Sequence, residues 1–258
     1  MTATYEFVVD GHLDDHWSAF LGGLALRHVG DGTSLLTGAL ADQSQLHGVL
    51  SGLRDVGAGL LAVRMVEEEP NPLAGLAWPK RTERLSLRRA RADDAEATWQ
   101  FRRLDSVGRW QTHGPMDLED HRSRFAEPDA LAVTLVVELD GEVIGDLMLR
   151  VQDAWGQAEV QDDARGTQAE LAWTLHPACE GNGYATEAVR ELIRICFSEL
   201  GIRRIVAECF AGNDRSWRLM ERVGMRRELH AVRDALHRSG EWMDTLGYAL
   251  LRSDHVES

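Results

Sequence analysis

The strongest constraint on this chain lies in residues 168–200, "QAELAWTLHPACEGNGYATEAVRELIRICFSEL". The first eight residues read as a central β-strand. From residue 184 to residue 200, Ala185, Val189, Leu192, Cys196 and Leu200 make one apolar stripe at helical spacing. Gly181 and Gly183 join strand to helix, and glycine admits positive φ and a ligand lying against the backbone. The free N–H groups at such a helix start, aided by the helix dipole, suit an anion. Glu180 nevertheless sets a negative charge at the mouth of the loop. No Gly-Lys-Ser/Thr follows, so this is not a Walker loop, and the three-glycine spacing of a dinucleotide fingerprint is missing.

A second pattern divides the chain. Residues 67–80, "EEEPNPLAGLAWPK", hold three acids and three of the six prolines, which marks a boundary. The expected organisation is therefore a small domain over 1–66, a linker over 67–80 and a larger domain over 81–258. In the first part, strand-like "YEFVVDG" precedes a short helix, "DDHWSAFLGG". A hairpin follows around "GDGT", then a helix opened by Asp42 and closed by Gly57, then strand-like "LLAVRMV". This βαββαβ order predicts a ferredoxin-like split βαβ unit. In the second part strands and helices mix in an order that gives an α/β three-layer sheet and not a bundle. A helix capped near Asp93, a hairpin around "DGE" at 140–142 and a closing strand pair over 225–251 complete it.

Composition removes several function classes. The formal charge of -14 argues against nonspecific nucleic-acid or anionic-membrane binding and favours cationic partners. No run approaches the roughly 18 apolar residues of a membrane span, and the N-terminus lacks a signal-peptide pattern, so the expected compartment is the cytoplasm. Cys179, Cys196 and Cys209 have no zinc spacing, and Cys196 and Cys209 read as small core residues. His12, His16, His28 and His47 read as scattered surface or capping residues, so no metal is expected.

The segment from Glu170 to Met225, with "GNGYATEA" and "N-x-x-S-x-x-x-x-E-x-x-G-M" at 213–225, closely resembles the core of the GNAT acetyltransferases. Its nearest likeness is the branch that acetylates ribosomal-protein N-termini. The resemblance implies a GNAT-type three-layer mixed sheet, preceded by the small βαββαβ (ferredoxin-like) domain, which it does not cover. It implies acetyl-CoA as co-substrate, with the pyrophosphate on the backbone of Gly181, Asn182, Gly183, Tyr184 and Ala185. The pantetheine arm would lie along Trp173, Thr174 and Leu175, with Asn213 and Ser216 near the thioester. Glu187 has a bracing role by family position. Family members often dimerise, and the sequence itself leaves the oligomeric state open.

Acetyl transfer needs a base for the ammonium, support for the oxyanion and a proton for the thiolate. Glu170, on the central strand, is the expected base, with His176 as rival. Many family members use a tyrosine as thiolate acid where this chain has Met220, so Ser216 is the expected donor. Arg109, Trp110, His113, His230, Arg233, Trp242 and Asp244 are the expected wall of the pocket for the amine. The alternatives are a GNAT-fold acyl-CoA sensor or scaffold without turnover, and a nucleotide-binding protein, which the missing lysine and the acidic charge disfavour.

Overall fold

The computed structural model describes residues 3–14, 17, 21–29, 32–66 and 71–255, in two compact units, Met1–Pro70 and Asn71–Ser258. In the first, β1 (Ala3–Asp10), β2 (Ala25–His28), β3 (Thr33–Leu40) and β4 (Gly59–Val66) form an antiparallel sheet in the order β2-β3-β1-β4. Helix α1 (Gln43–Asp55) starts where Asp42 accepts a hydrogen bond from the Gln45 amide, as its spacing predicts. Val49 and Leu53 of α1 pack on Phe7, Val9 and Leu36 to make this unit's core. The ferredoxin-like reading also calls for a helix over residues 14–23; half of that segment lies outside the described residues, and the Leu21 amide donates to the Trp17 carbonyl at 2.9 Å. His12 and His28 stack on each other, ring centroids 3.7 Å apart. His16 is outside the described residues.

The second unit is built on an eight-stranded sheet. Its strands are β5 (Lys80–Arg81), β6 (Leu85–Arg89), β7 (Thr134–Leu139), β8 (Glu142–Gln152), β9 (Gln168–Leu175), β10 (Arg204–Phe210), β11 (Arg226–Leu236) and β12 (Trp242–Leu251). Their order is β11-β12-β10-β9-β8-β7-β6-β5, and only β9 and β10 are parallel. The alternation along β7 shows why both faces must be covered. Leu135 and Val137 join the main core with Val189 and Leu192, whereas Val136 packs with Ala95 and Phe125 on the opposite side. Helices α2 (Ala95–Arg102), α3 (Asp105–Gly108), α4 (Leu118–Phe125) and α5 (Pro128–Val133) fill the connection between β6 and β7. Helices α6 (Tyr184–Arg194) and α7 (Asp214–Arg222) follow β9 and β10. This is the mixed three-layer α/β architecture that the sequence leads one to expect.

Two local readings are corrected and one is narrowed. Residues 71–80 are not a free linker: Leu73 is buried in the second unit's core, the Asn71 amide donates to the Ala132 carbonyl, and Lys80 pairs with Glu199 at 2.6 Å. The prolines mark the change of pattern, but the apolar residues beyond them have surface to bury. The cap before α2, expected near Asp93, is Asp94, whose carboxylate accepts from the Arg91 amide and from both terminal nitrogens of Arg88. The helix expected over 184–200 is α-helical only to Arg194 and continues as a π turn over Ile195–Glu199, where the Leu200 amide reaches the Ile195 carbonyl.

Leu192 is 0 % exposed at the centre of the α6 stripe. Leu192→Ala should destabilise the second unit by about 3 kcal/mol, read as a shift of its denaturant midpoint in the full chain. A shift within error of zero would contradict the core placement.

Candidate functional site

Strands β9 and β10 pair over only three positions, Gln168↔Arg204, Ala169↔Ile205 and Glu170↔Val206. Beyond these, β9 keeps its register with β8 as far as Leu175↔Gly145, and β10 keeps its own with β12 as far as Thr245↔Phe210. Each strand therefore follows its outer neighbour while the two part from each other. The inner edge of residues 171–175 is left without a strand partner, so its backbone groups can pair with an extended ligand. A cleft of about 1590 Å³ opens there, lined by Trp173, Thr174 and Leu175 from β9 and by Gly212, Asn213 and Ser216 from the far bank.

At the end of β9 the cleft meets the glycine loop. Gly181 and Gly183 take φ of +81° and +83°, and the left-handed Gly183 is the N-cap of α6. The backbone N–H groups of residues 181–185 have no acceptor among the described residues, so several donors are free beside the cleft. The loop is braced from a distance. Glu187 accepts from the Thr82 hydroxyl, from the Arg84 amide at 2.9 Å and from Arg84 Nε at 2.7 Å. Arg84 also donates to the Asn182 carbonyl at 3.0 Å and lies over the Tyr184 ring. Partial burial works to raise the Glu187 carboxyl, but the hydrogen bonds from Thr82 and Arg84 outweigh it and hold the group below its usual range. Asn182 turns its side chain back to the Cys179 and Glu180 carbonyls. The carboxylate of Glu180 is bound by Arg215, which accounts for a negative charge at this mouth.

The opposite wall comes from the segment after α2. Arg109, Trp110 and Gln111 line the cleft. Trp110 lies against Phe210 and His237, with the Arg109 guanidinium 4.8 Å over its ring. A Cβ at Gly212 would come within 3.0 Å of Trp110 Cη2, so the ring packs directly on that backbone. Gln111 Nε2 donates to the Thr174 hydroxyl at 3.3 Å. Behind them Arg102 grips the buried Asp146 with two bonds of 2.6 Å. The closing hairpin holds this segment through its backbone: His237 Nε2 is 2.9 Å from the Arg109 carbonyl, and Arg238 donates to that of Gln111.

The structure gathers Trp173, Thr174, Leu175, Gly181, Gly183, Tyr184, Ala185, Asn213, Ser216, Arg109 and Trp110 on this one cleft. It does not bring the other expected residues to it. Glu170 sits where β9 and β10 are still paired, off the cleft wall, with its carboxylate 3.3 Å from Arg150. His176 Nδ1 accepts from the Ala178 amide and caps the following turn. His113 contacts Arg124 Nη2 at 2.8 Å, and desolvation with the nearby Arg124 and Arg238 charges pushes its imidazole down. Arg233 and Trp242 border a separate depression on the closing hairpin. There Asp244 is held low by His230, 2.7 Å away, and by the Arg233 amide. Met220 is buried. Ser216 contacts Cys209, whose thiol is pushed up to about 11 by burial; Cys196, deep in the core, is pushed up to about 12 for the same reason. Sequence reading missed Thr82, Arg84, Gln111 and Arg215, because their partners are 35 to 105 residues away.

The glycine loop over a helix start, at the end of the strand that carries Trp173–Leu175, is the stretch on which the sequence resemblance rests. A family profile described as "Acetyltransferase (GNAT) domain" matches residues 84–226, more than half of the chain. The chain belongs to the GNAT acetyltransferase family. Residues 4–64 match a profile described as "Domain of unknown function (DUF8691)". The N-acetyltransferase YnaD of Bacillus subtilis is 28% identical over 174 residues, 67% of this chain and 96% of that protein. A GNAT-family acetyltransferase from Bacillus anthracis superposes with a TM-score of 0.58 at 28% identity, covering 67% of this chain and 98% of that one. RimL, a ribosomal L7/L12 α-N-protein acetyltransferase solved in complex with coenzyme A, shares the fold with a TM-score of 0.56 at 17% identity, over 66% and 95% of the two chains. Among the described residues no helix is long and apolar enough to cross a membrane, and no group of three or more His, Cys, Asp or Glu side chains is arranged to hold a metal ion.

The Glu187 brace predicts a pH dependence. Its folded pKa lies below the ordinary 4.5, so the unfolded state binds the proton more readily. The stability it supplies is complete above pH 4.5 and is lost as pH falls through the folded value. Glu187→Gln should cost about 2 kcal/mol at pH 7. The gap to wild type should then close as urea midpoints are measured at progressively lower pH below 4.5. A gap that is constant with pH would mean that the charge of Glu187 is not what braces the loop.

Proposed function

We propose that the chain transfers the acetyl group of acetyl-CoA to a primary amine. The observation that carries this is the continuity of one cleft. Unpaired loop amides at residues 181–185 lie at one end, and the open edge of Trp173–Leu175 runs from them between the parted strands. The diphosphate would rest on the loop, and the pantetheine amides would pair with the β9 edge as an added strand. The thioester would then lie between Ser216 on one bank and Thr174 with Gln111 on the other. The amine, entering past Arg109 and Trp110, attacks the thioester carbonyl. The C–S bond breaks, and the products are an amide and coenzyme A.

Ser216 is the hydroxyl assigned to the departing thiolate, because Met220 has no proton to give and lies in the core. Glu170 is paired away from the cleft, so the ammonium gives its proton to water before or during attack. The acceptor is an amine on a protein N-terminus or a small amine, the classes named for RimL and for the spermidine N-acetyltransferases of Vibrio cholerae that share the fold. The protein would then act in the cytoplasm. The buried Met220 and the displaced Glu170 also favour a second reading, an acyl-CoA sensor without turnover.

The deciding experiment measures thiol release from acetyl-CoA over a panel of peptides with free N-termini, polyamines and aminoglycosides, beside calorimetric CoA binding. Turnover on any of these amines supports the main reading, and binding with no turnover on any amine supports the sensor. With an active acceptor, kcat/KM should rise with pH up to the pKa of the amine itself, unchanged by Glu170→Gln. Ser216→Ala should lower kcat on the order of a hundredfold. A profile that follows a carboxylate lost in Glu170→Gln would return the base role to Glu170.

A further inference from the structure

Glu180 and Arg215 form an ion pair across the cleft. Glu180 precedes the glycine loop that follows β9, and Arg215 is the second residue of α7, which follows β10. The pair thus ties together the two banks that the parting strands create, directly beside the glycine loop. Both side chains are wetted, Glu180 at 35% and Arg215 at 78% exposure. An exposed pair of this kind is weak and readily exchanged. A diphosphate on the loop would bring more than one negative charge within reach of the same guanidinium. It would also meet the Glu180 carboxylate as a like charge. Arg84 on this cleft is bound by Glu187 and Arg222 by the Thr186 hydroxyl at 3.2 Å, and Arg218 makes an exposed pair with Asp214. Arg109 and Arg190 also line it, but none of these is paired with an acid that faces the loop from the opposite bank.

Building on the coenzyme reading above, we propose that Arg215 contacts the coenzyme's diphosphate and that Glu180 is its resident competitor. Binding exchanges one anion for the other on the same guanidinium. The carboxylate, released to water, stays beside the phosphate and weakens its hold. Glu180 is in this sense a residue that sets coenzyme affinity, and Arg215 the residue through which it does so.

The test is calorimetric CoA binding to the full chain for wild type, Glu180→Gln, Arg215→Gln, Arg218→Gln and the double variant at 180 and 215. Glu180→Gln should tighten binding by about fivefold, and Arg215→Gln should weaken it by about tenfold. The informative comparison is made without Glu180. If Arg215 touches phosphate, Arg215→Gln still costs about tenfold in the Glu180→Gln background. If Arg215 only neutralises Glu180, that second substitution changes affinity by less than about twofold, and the proposal is overturned. Equal losses for Arg215→Gln and Arg218→Gln would also overturn it, since bulk charge would then account for both. Wild type that binds no CoA would overturn the coenzyme reading itself, before any variant is compared.

Discussion

The second unit depends on a pairing that stops. Strands β9 and β10 share three registered positions and then part, because each is held along its full length by an antiparallel neighbour, β8 or β12. Parallel pairing is the weaker partner in that contest. The open edge of Trp173–Leu175 faces a cleft, where water or an extended ligand can pair with its backbone groups. Everything else in the site is arranged around this opening: a loop at one end, a helix start on the far bank and the segment around Arg109, Trp110 and Gln111 facing both.

The loop at the end of β9 shows how a local motif depends on distant contacts. Two glycines give the backbone its turn, but Glu187, one turn into α6, is fixed by Thr82 and Arg84 from the segment between β5 and β6. That clamp also reaches the Asn182 carbonyl, so the loop is held in place from outside the cleft. Preorganised donors cost nothing to reorient when charge arrives. The closing hairpin does the same for the facing wall, where His237 and Arg238 hold the carbonyls of Arg109 and Gln111.

The cleft was legible where its walls lie in or next to the motif. Gly181, Gly183, Trp173–Leu175, Asn213 and Ser216 all meet on one cleft, since strand, loop and helix start are contiguous in sequence or follow adjacent strands. Glu170 shows the opposite case. Its alternation with Ala172 and Thr174 is right, but alternation fixes only the face of a strand. Position along the strand decides whether that face looks into the cleft or onto Arg150, and this depends on where β10 turns away. Arg233, Trp242 and Asp244 failed similarly: they share a hairpin with His237 but sit at a level where His230 and the Arg233 amide occupy the carboxylate.

By itself, the sequence determined the two-part organisation, the α/β class, the strand–glycine loop–helix unit and the GNAT family, because each is written in local spacing and in residues within one or two elements of each other. The tertiary structure alone decided that residues 71–80 join the second unit, that Arg84 and Thr82 brace the loop, and that Glu180 is bound by Arg215. Those contacts join side chains 35 to 119 residues apart. No periodicity encodes them. They follow from which faces of separate elements the sheet brings together.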